Sequence, residues 1–324
     1  MNSTSWVIGA GGLLGSAMLR TLRQESENIF PGPTIAWGTS EASAELEAGL
    51  TRLAEAAGSG KWQVYWCAGA GVTDSDPTSL ETEFQTFQSF LTSVQELPAT
   101  SLSRGSIVLA SSAGAVYGGS SGAPFTEASE AVPLGRYGTM KLRAEEALYA
   151  LSASAKIPVF VGRIANLYGP GQSLTKRQGL VSMLSFSTVT RTPISIFVSL
   201  DTLRDYIYVD DCARLLSACG KRIQSLPADD SRHLKIIGSG RAVSIGTVVG
   251  QFRQVSGSRP LVILGASHAA TLQGRDLRLR SEYWTDLDIT SKTTFSAGIR
   301  RTIDDMRTSW LQPGRLARPL GASQ

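Results

Sequence analysis

The sequence predicts an α/β protein, a doubly wound sheet of parallel strands followed by a smaller C-terminal region. Three observations lead there. Short apolar runs alternate with longer stretches of helical spacing through the first half of the chain. Glycines at Gly9, Gly12 and Gly15 stand between the first such run and the first helical stretch. The chain has 324 residues, 42% of them hydrophobic, enough for one large domain or two small ones with a true core.

In chain order, Ser5–Gly9 is the first strand, and the helix after it carries Leu13, Ala17, Leu19 and Leu22. Glycine suits the turn between them. The backbone must bend tightly there and let a pyrophosphate approach the exposed amides of the helix N-terminus. This nominates Gly9, Gly12, Leu13, Leu14 and Gly15 as cofactor-binding residues of a Rossmann unit. A G-x-x-G-x-x-G match is weak by itself in a chain with 33 glycines, and its plain reading is a turn. The strand before it and the helix after it give it weight.

Pro31-Gly32-Pro33 marks a turn and Thr34–Trp37 the second strand. At that strand's end an acidic residue would hold the adenosine ribose of NAD, and an arginine would admit the extra phosphate of NADP. Gly38, Thr39 and Ser40 are neither, so NAD or NADP both stay open. Ala42–Ala57 follows as a helix and Trp62–Cys67 as a buried strand. Only one helix separates these strands, where such domains often fit a helix, a strand and a loop. Ala68-Gly69-Ala70-Gly71 is a loop of small residues, as needed where a backbone passes close to a cofactor. Ala68 and Gly69 therefore join the cofactor-binding set.

Leu80, Phe84, Phe87, Leu91 and Val94 make an apolar seam on one helix, either core or the pairing face of a homodimer. Ser106–Ser112 is the next buried strand, and Ile157–Ile164 a further one. Hydroxyls at the carboxyl end of a central strand lie where doubly wound sheets bind ligands; the plainer reading is a strand end capped by serines.

Between those two strands, Arg136–Glu146 opens a helix on which Met140, Ala144, Ala147, Leu148 and Leu151 repeat at helical spacing. Tyr137 and Lys141, four residues apart, share one face. A phenol keeps its proton to about pH 10, and a nearby cation lowers that value. Such a pair in a cleft can donate and accept a proton near neutral pH. Alone, the pair reads more simply as a half-buried tyrosine and a solvated lysine.

The composition narrows the function. Lys and Arg number 31 against 27 Asp and Glu, a balance of +4 with no basic run or aromatic-basic stripe, so no nucleic-acid partner is expected. Cys67, Cys212 and Cys219 are too few for a disulfide framework and lack metal-ligand spacing; with only His233 and His268 beside them, no metal site is expected. The N-terminus enters a strand without a charged leader, and no apolar run is long enough to cross a bilayer. A cytoplasmic protein with no membrane association is expected.

Taken together, the blocks resemble an extended short-chain dehydrogenase/reductase of the NAD-dependent epimerase/dehydratase family, in pattern the UDP-galactose 4-epimerase type. They are Gly9-Ala-Gly-Gly-Leu-Leu-Gly15, Ser111-Ser-Ala-Gly-Ala-Val-Tyr-Gly118, Tyr137-x-x-x-Lys141 and Gly162-Arg-Ile-Ala-Asn-Leu-Tyr-Gly-Pro-Gly171. Leu203-Arg-Asp-Tyr-Ile-Tyr-Val-Asp-Asp211 and Ile236-Ile-Gly-Ser-Gly240 with Ser244 follow in the family's order, so the resemblance covers roughly residues 5 to 310.

The resemblance implies that Tyr137 is the acid/base, Lys141 the holder of the cofactor ribose, and Asn166, Arg204 and Asp276 contacts of a nucleotide-diphosphate sugar. The family's catalytic hydroxyl position falls on Ala113, so Ser112, one residue earlier, takes that role here. Gly114 and Ala115 replace the Asp-Glu pair of the 4,6-dehydratases, which argues against dehydration. The family's late Arg-x-x-Asp contact falls on Gln273 and Asp276. Asp210 and Asp211 read as a helix N-cap.

The implied function is redox chemistry at C4 of a nucleotide-sugar, with epimerisation through a transient 4-keto intermediate leading. An NADPH-dependent 4-keto-sugar reductase is the alternative, and a non-catalytic dinucleotide sensor a third. The implied division is a cofactor domain over 1–170, with 204–220 returning to it. A substrate region spans 171–203 and 221–311, with polar specificity loops at Gln172–Gln178 and Pro227–His233, and 312–324 is a flexible tail.

Overall fold

The computed structural model describes residues 3–71, 75–172, 179–226, 232–265, 274–289 and 292–311. The sequence expectations for the 312–324 tail, for Gln273 and for most of the two polar loops lie outside them.

The first half runs β1 (Thr4–Ile8), α1 (Leu13–Gln24), β2 (Asn28–Ile29), α2 (Glu41–Ala57), β3 (Trp62–Trp66), α3 (Pro77–Gln95), α4 (Ala99–Leu102), β4 (Gly105–Ser112), α5 (Ala113–Val116), α6 (Arg136–Ala155) and β5 (Val159–Ile164). Then come β6 (Asn166–Tyr168), α7 (Leu180–Thr190), β7 (Ile194–Ile196), β8 (Leu203–Tyr208), α8 (Val209–Ile223) and β9 (Arg232–Ile237). The chain continues with β10 (Ala242–Ser244), α9 (Ile245–Ser256), β11 (Val262–Leu264), β12 (Asp276–Leu277), a short 3-10 turn at Thr285–Ile289 and α10 (Phe295–Trp310).

Among the described residues the main sheet has six parallel strands in the order β2-β1-β3-β4-β5-β9. Its central strands β1, β3, β4 and β5 are buried on both faces, and alternate side chains feed two cores. Val7, Tyr65, Val108 and Phe160 face α1 and α8. Trp6, Ile8, Val64, Ile107 and Val161 face α2, α3 and α6. A third cluster joins Tyr168, Tyr206 and Tyr208 to Val248, Phe252, Ile299 and Ile303 on α9 and α10. The expected doubly wound sheet with a smaller C-terminal region is what forms. No helix among the described residues is long and apolar enough to cross a membrane.

Five details differ from the sequence reading. The second strand is Asn28–Ile29, not Thr34–Trp37. Pro31 has no N–H to extend the ladder, and the Ala36 amide is taken by the Glu45 carboxylate at 2.6 Å. The apolar residues there pack instead, Ile35 on the core and Trp37 edge-on to Trp66.

Segment 232–237, assigned to the substrate region, is the sixth strand of the main sheet, because β9 pairs with β5. Of residues 204–220, expected to return to the cofactor domain, 204–208 belong to β8 of a separate sheet with β6, β10 and β12; only α8 after them returns.

The α3 seam, Leu80, Phe84, Phe87, Leu91 and Val94, is buried within the monomer and offers no pairing face. Asp210 and Asp211 do not cap α8, whose N-cap is Tyr208. They lie in its first turn, Asp210 bonded to Arg20 of α1 at 2.6 Å and Asp211 to the Thr293 amide at 2.6 Å.

Candidate active site

The chain goes from β1 outward to β2 and returns past it to β3, so the sheet order reverses between β1 and β3. At such a switch point the loops diverge and leave a crevice at the carboxyl ends of the strands. Gly9 ends β1 there with φ +88°, and a Cβ on it would lie 2.5 Å from the Ala68 nitrogen. A Cβ on Gly15 would lie 2.1 Å from the Gly9 carbonyl oxygen. Only glycine lets the turn, the loop after β3 and the first turn of α1 press together this closely.

Gly12, in extended conformation, is the N-cap of α1, and no side chain caps this helix. Leu14 is buried in the core and Leu13 half-buried, so both contribute through their backbone amides. Amide donors at a helix N-terminus beside a glycine turn fit a pyrophosphate.

On the far side of the crevice, α6 starts at Arg136 and packs directly on α5. A Cβ on Gly138 would lie 2.3 Å from the Ala115 carbonyl oxygen. This contact brings the Tyr137 turn against the end of β4. Lys141 is 8% exposed, and its Nζ stands 5.5 Å from the Tyr137 ring centre. The loop after β3 closes over the pair: a Cβ on Gly69 would be 3.3 Å from Lys141 Nζ, and one on Gly71 3.3 Å from Tyr137 Cδ2. Burial pulls the Lys141 ammonium toward deprotonation. Tyr137, Glu83 and Glu145 more than offset that, and its pKa is raised.

The two serines that close β4 part ways. Ser111 is buried and donates to Glu145 Oε1 at 2.5 Å. Glu145, from α6, accepts at 2.7 Å from Arg163 Nη2 of β5, whose Nη1 donates to the Tyr117 hydroxyl at 2.7 Å. Ser112 is half-buried at the strand end, where its Oγ accepts the Ala115 amide at 3.4 Å. Thus Tyr137 and Lys141 meet the loop after β3 at Gly69 and Gly71, and Ala68 meets Gly9, while Ser112 closes β4 at the short helix α5 on which the Tyr137 turn packs, and Ser111 is bound to Glu145 in the core. Sequence reasoning missed Glu83, Glu145 and Arg163. The signal for Glu83 was a carboxylate four residues before Phe87, on the inward stripe of α3.

The other three residues meet in the second sheet. Asn166 is exposed and donates to the Asp205 carbonyl at 2.9 Å. Arg204 is buried. Its Nη1 donates to the Leu203 carbonyl at 2.8 Å, but its Nη2 has no partner among the described residues. Burial lowers its pKa. A buried guanidinium with an unused donor suits an incoming anion. Asp276 pairs beside Leu203 in β12, yet its carboxylate is engaged by Arg278 at 2.8 Å, which holds it below the usual range. Arg275, next to it, pairs with Asp201 instead.

The chain is similar to proteins that are known. The chain is 34% identical over 119 residues to dTDP-L-rhamnose 4-epimerase of Burkholderia thailandensis, 36% of this chain and 31% of that one. It is 30% identical over 143 residues to dTDP-4-dehydro-6-deoxyglucose reductase of Escherichia coli, 44% of this chain and 43% of that one. The matched part thus spans less than half the length of these curated relatives. Among solved structures, the fold is similar to that of MoeE5 in complex with UDP-glucose and NAD. The TM-score is 0.76 at 24% identity, over 95% of this chain and 100% of that one. The profile of the NAD dependent epimerase/dehydratase family matches residues 6–230, more than half of the sequence, and the chain belongs to that family.

Proposed function

We propose that the protein performs NAD(P)-dependent redox chemistry at C4 of a nucleotide-diphosphate sugar, as an epimerase acting through a transient 4-keto sugar. The observation that carries this reading is the contact of Tyr137 and Lys141 with each other and with the Gly69–Gly71 stretch of the loop after β3, beside the glycine turn. Gly9, Gly12, Leu13, Leu14 and Gly15 hold the pyrophosphate through backbone amides, Ala68 and Gly69 line the cofactor's path, and Lys141 holds its ribose. The nicotinamide, when bound, supplies hydride acceptance and return. Tyr137 takes and returns the proton of the C4 hydroxyl, and Ser112 orients that hydroxyl. Arg204 meets the diphosphate, with Asn166 and Asp276 on neighbouring strands of the same sheet.

The partial likeness to a 4-epimerase and a 4-keto-sugar reductase supports chemistry at this carbon. The reductase reading, with NADPH, draws on one observation: residues 30–40, which follow β2, include no charged side chain to reject or select the extra phosphate. We also place the protein in the cytoplasm, where its three free thiols would stay reduced, and as a homodimer formed outside the buried α3 seam. Sedimentation equilibrium checks the dimer. Incubation with UDP- and dTDP-hexoses, without added cofactor, followed by proton NMR tests the function. A 4-epimer is the expected product. Conversion only of a 4-keto sugar, and only with NADPH supplied, would move the assignment to the reductase.

A further inference from the structure

Glu83 lies on α3 between Leu80 and Phe87, on the stripe that the helix turns inward, and its side chain is 21% exposed. Its Oε2 accepts the amides of Ala70 at 2.9 Å and Gly71 at 3.0 Å, and its Oε1 stands 3.6 Å from Lys141 Nζ. Glycine makes the approach possible. A Cβ on Gly69 would lie 2.9 Å from Glu83 Oε1, and one on Gly71 3.4 Å from Oε2. One carboxylate therefore ties the loop after β3 to the helix that carries Tyr137 and Lys141. Glu145, the other acid whose charge reaches Lys141, is already matched by Arg163. That leaves Glu83 as the carboxylate that offsets the lysine.

We propose that Glu83 is a positioning residue at the nicotinamide end of the cofactor site, and that its charge favours the oxidised cofactor over the reduced one. The inference rests on the reading of Tyr137 and Lys141 as facing a nicotinamide. The oxidised ring is a cation and the reduced ring is neutral. A fixed ammonium in a crevice largely closed to water works against the cation, and a fixed carboxylate at the same place works for it. With Lys141 unopposed, the site would lean toward the reduced form. The opposing carboxylate keeps the resting cofactor in the oxidised form, the only one that can accept a hydride.

Equilibrium binding of NAD⁺ and NADH to cofactor-stripped protein, followed by calorimetry, tests this. Glu83→Gln keeps an oxygen for the two amides and removes the charge. It should lower the ratio of NAD⁺ to NADH affinity by about fivefold or more, the lower end of a typical coupling between two bound groups. Glu83→Asp, which keeps the charge, should recover most of that ratio. Glu81→Gln, at an exposed ion pair with Arg143, should leave it alone. A ratio unchanged in Glu83→Gln, or both forms weakened equally, overturns the proposal and leaves Glu83 a simple loop brace. Wild-type protein that binds neither form overturns the cofactor reading itself, and this inference with it.

Discussion

Ser111 and Ser112 are neighbours in β4 that do different work: Ser111 Oγ is bound to Glu145 inside the core, while Ser112 Oγ, at the strand end, accepts the Ala115 amide of α5. Ser112→Ala should therefore slow the chemical step by roughly tenfold or more, the scale of a lost orienting contact, with only a small drop in melting temperature from the lost cap on the Ala115 amide. Ser111→Ala should lower stability by about 1–3 kcal/mol, because it leaves a buried carboxylate one donor short. Turnover per folded molecule should hold. Thermal melts and single-turnover rates on the two variants separate the roles, and the reverse pattern would exchange them.

Tyr137→Phe keeps the ring against Gly71 and removes the proton. Turnover should fall about a hundredfold or more while cofactor affinity stays within a few fold. Steady-state kinetics beside a cofactor titration checks this, and unchanged turnover would remove Tyr137 from its role.

Arg204→Met tests the buried guanidinium. Its Nη2, which has no partner among the described residues, costs the folded protein desolvation, so a methionine of similar length should leave stability equal or slightly higher. Loss of the diphosphate contact should raise KM about tenfold or more with a smaller change in kcat. A lowered kcat at unchanged KM would place Arg204 elsewhere in the mechanism.

The thiols give a pH test. Cys212 and Cys219 are buried and Cys67 half-buried; desolvation pushes Cys67 and Cys219 up to about 12 and raises Cys212 well above the usual thiol range, so each holds its proton at neutral pH. Since the thiolate is the reactive form, native protein should alkylate slowly at pH 8 and accelerate only toward pH 12. After unfolding, all three should react at once. A native labelling midpoint near the ordinary thiol value of about 8.5 would contradict the buried setting.

The parts of the site that follow from local chain chemistry were legible beforehand. Gly9, Gly12 and Gly15 announce a turn that only glycine can make, and Tyr137 and Lys141 share a helix face by spacing alone. Thr34–Trp37 misled because its apolar residues pack on Trp66 and the core rather than form a ladder, and Glu45 from the next helix takes the amide that a strand would need. Glu83, Glu145 and Arg163 were hidden for a different reason. Their partners lie on other elements, 58, 18 and 46 residues away for Lys141, Arg163 and Tyr117 in turn, taking 141 − 83 for the first and the bond separations for the others. The β6, β10 and β12 strands, of two or three residues each, are held by β8 and carry too little periodicity to show in the sequence.

The central claim is that the crevice between the glycine turn and the Tyr137 helix holds a nicotinamide dinucleotide through the catalytic cycle. The most direct measurement is to denature the purified protein and identify any released nucleotide by mass spectrometry. Stoichiometric NAD is the predicted result, since an epimerase must keep the cofactor that it reduces and reoxidises. Protein that releases nothing and binds neither NAD nor NADPH when they are added would contradict the account and leave a non-catalytic protein on the same fold.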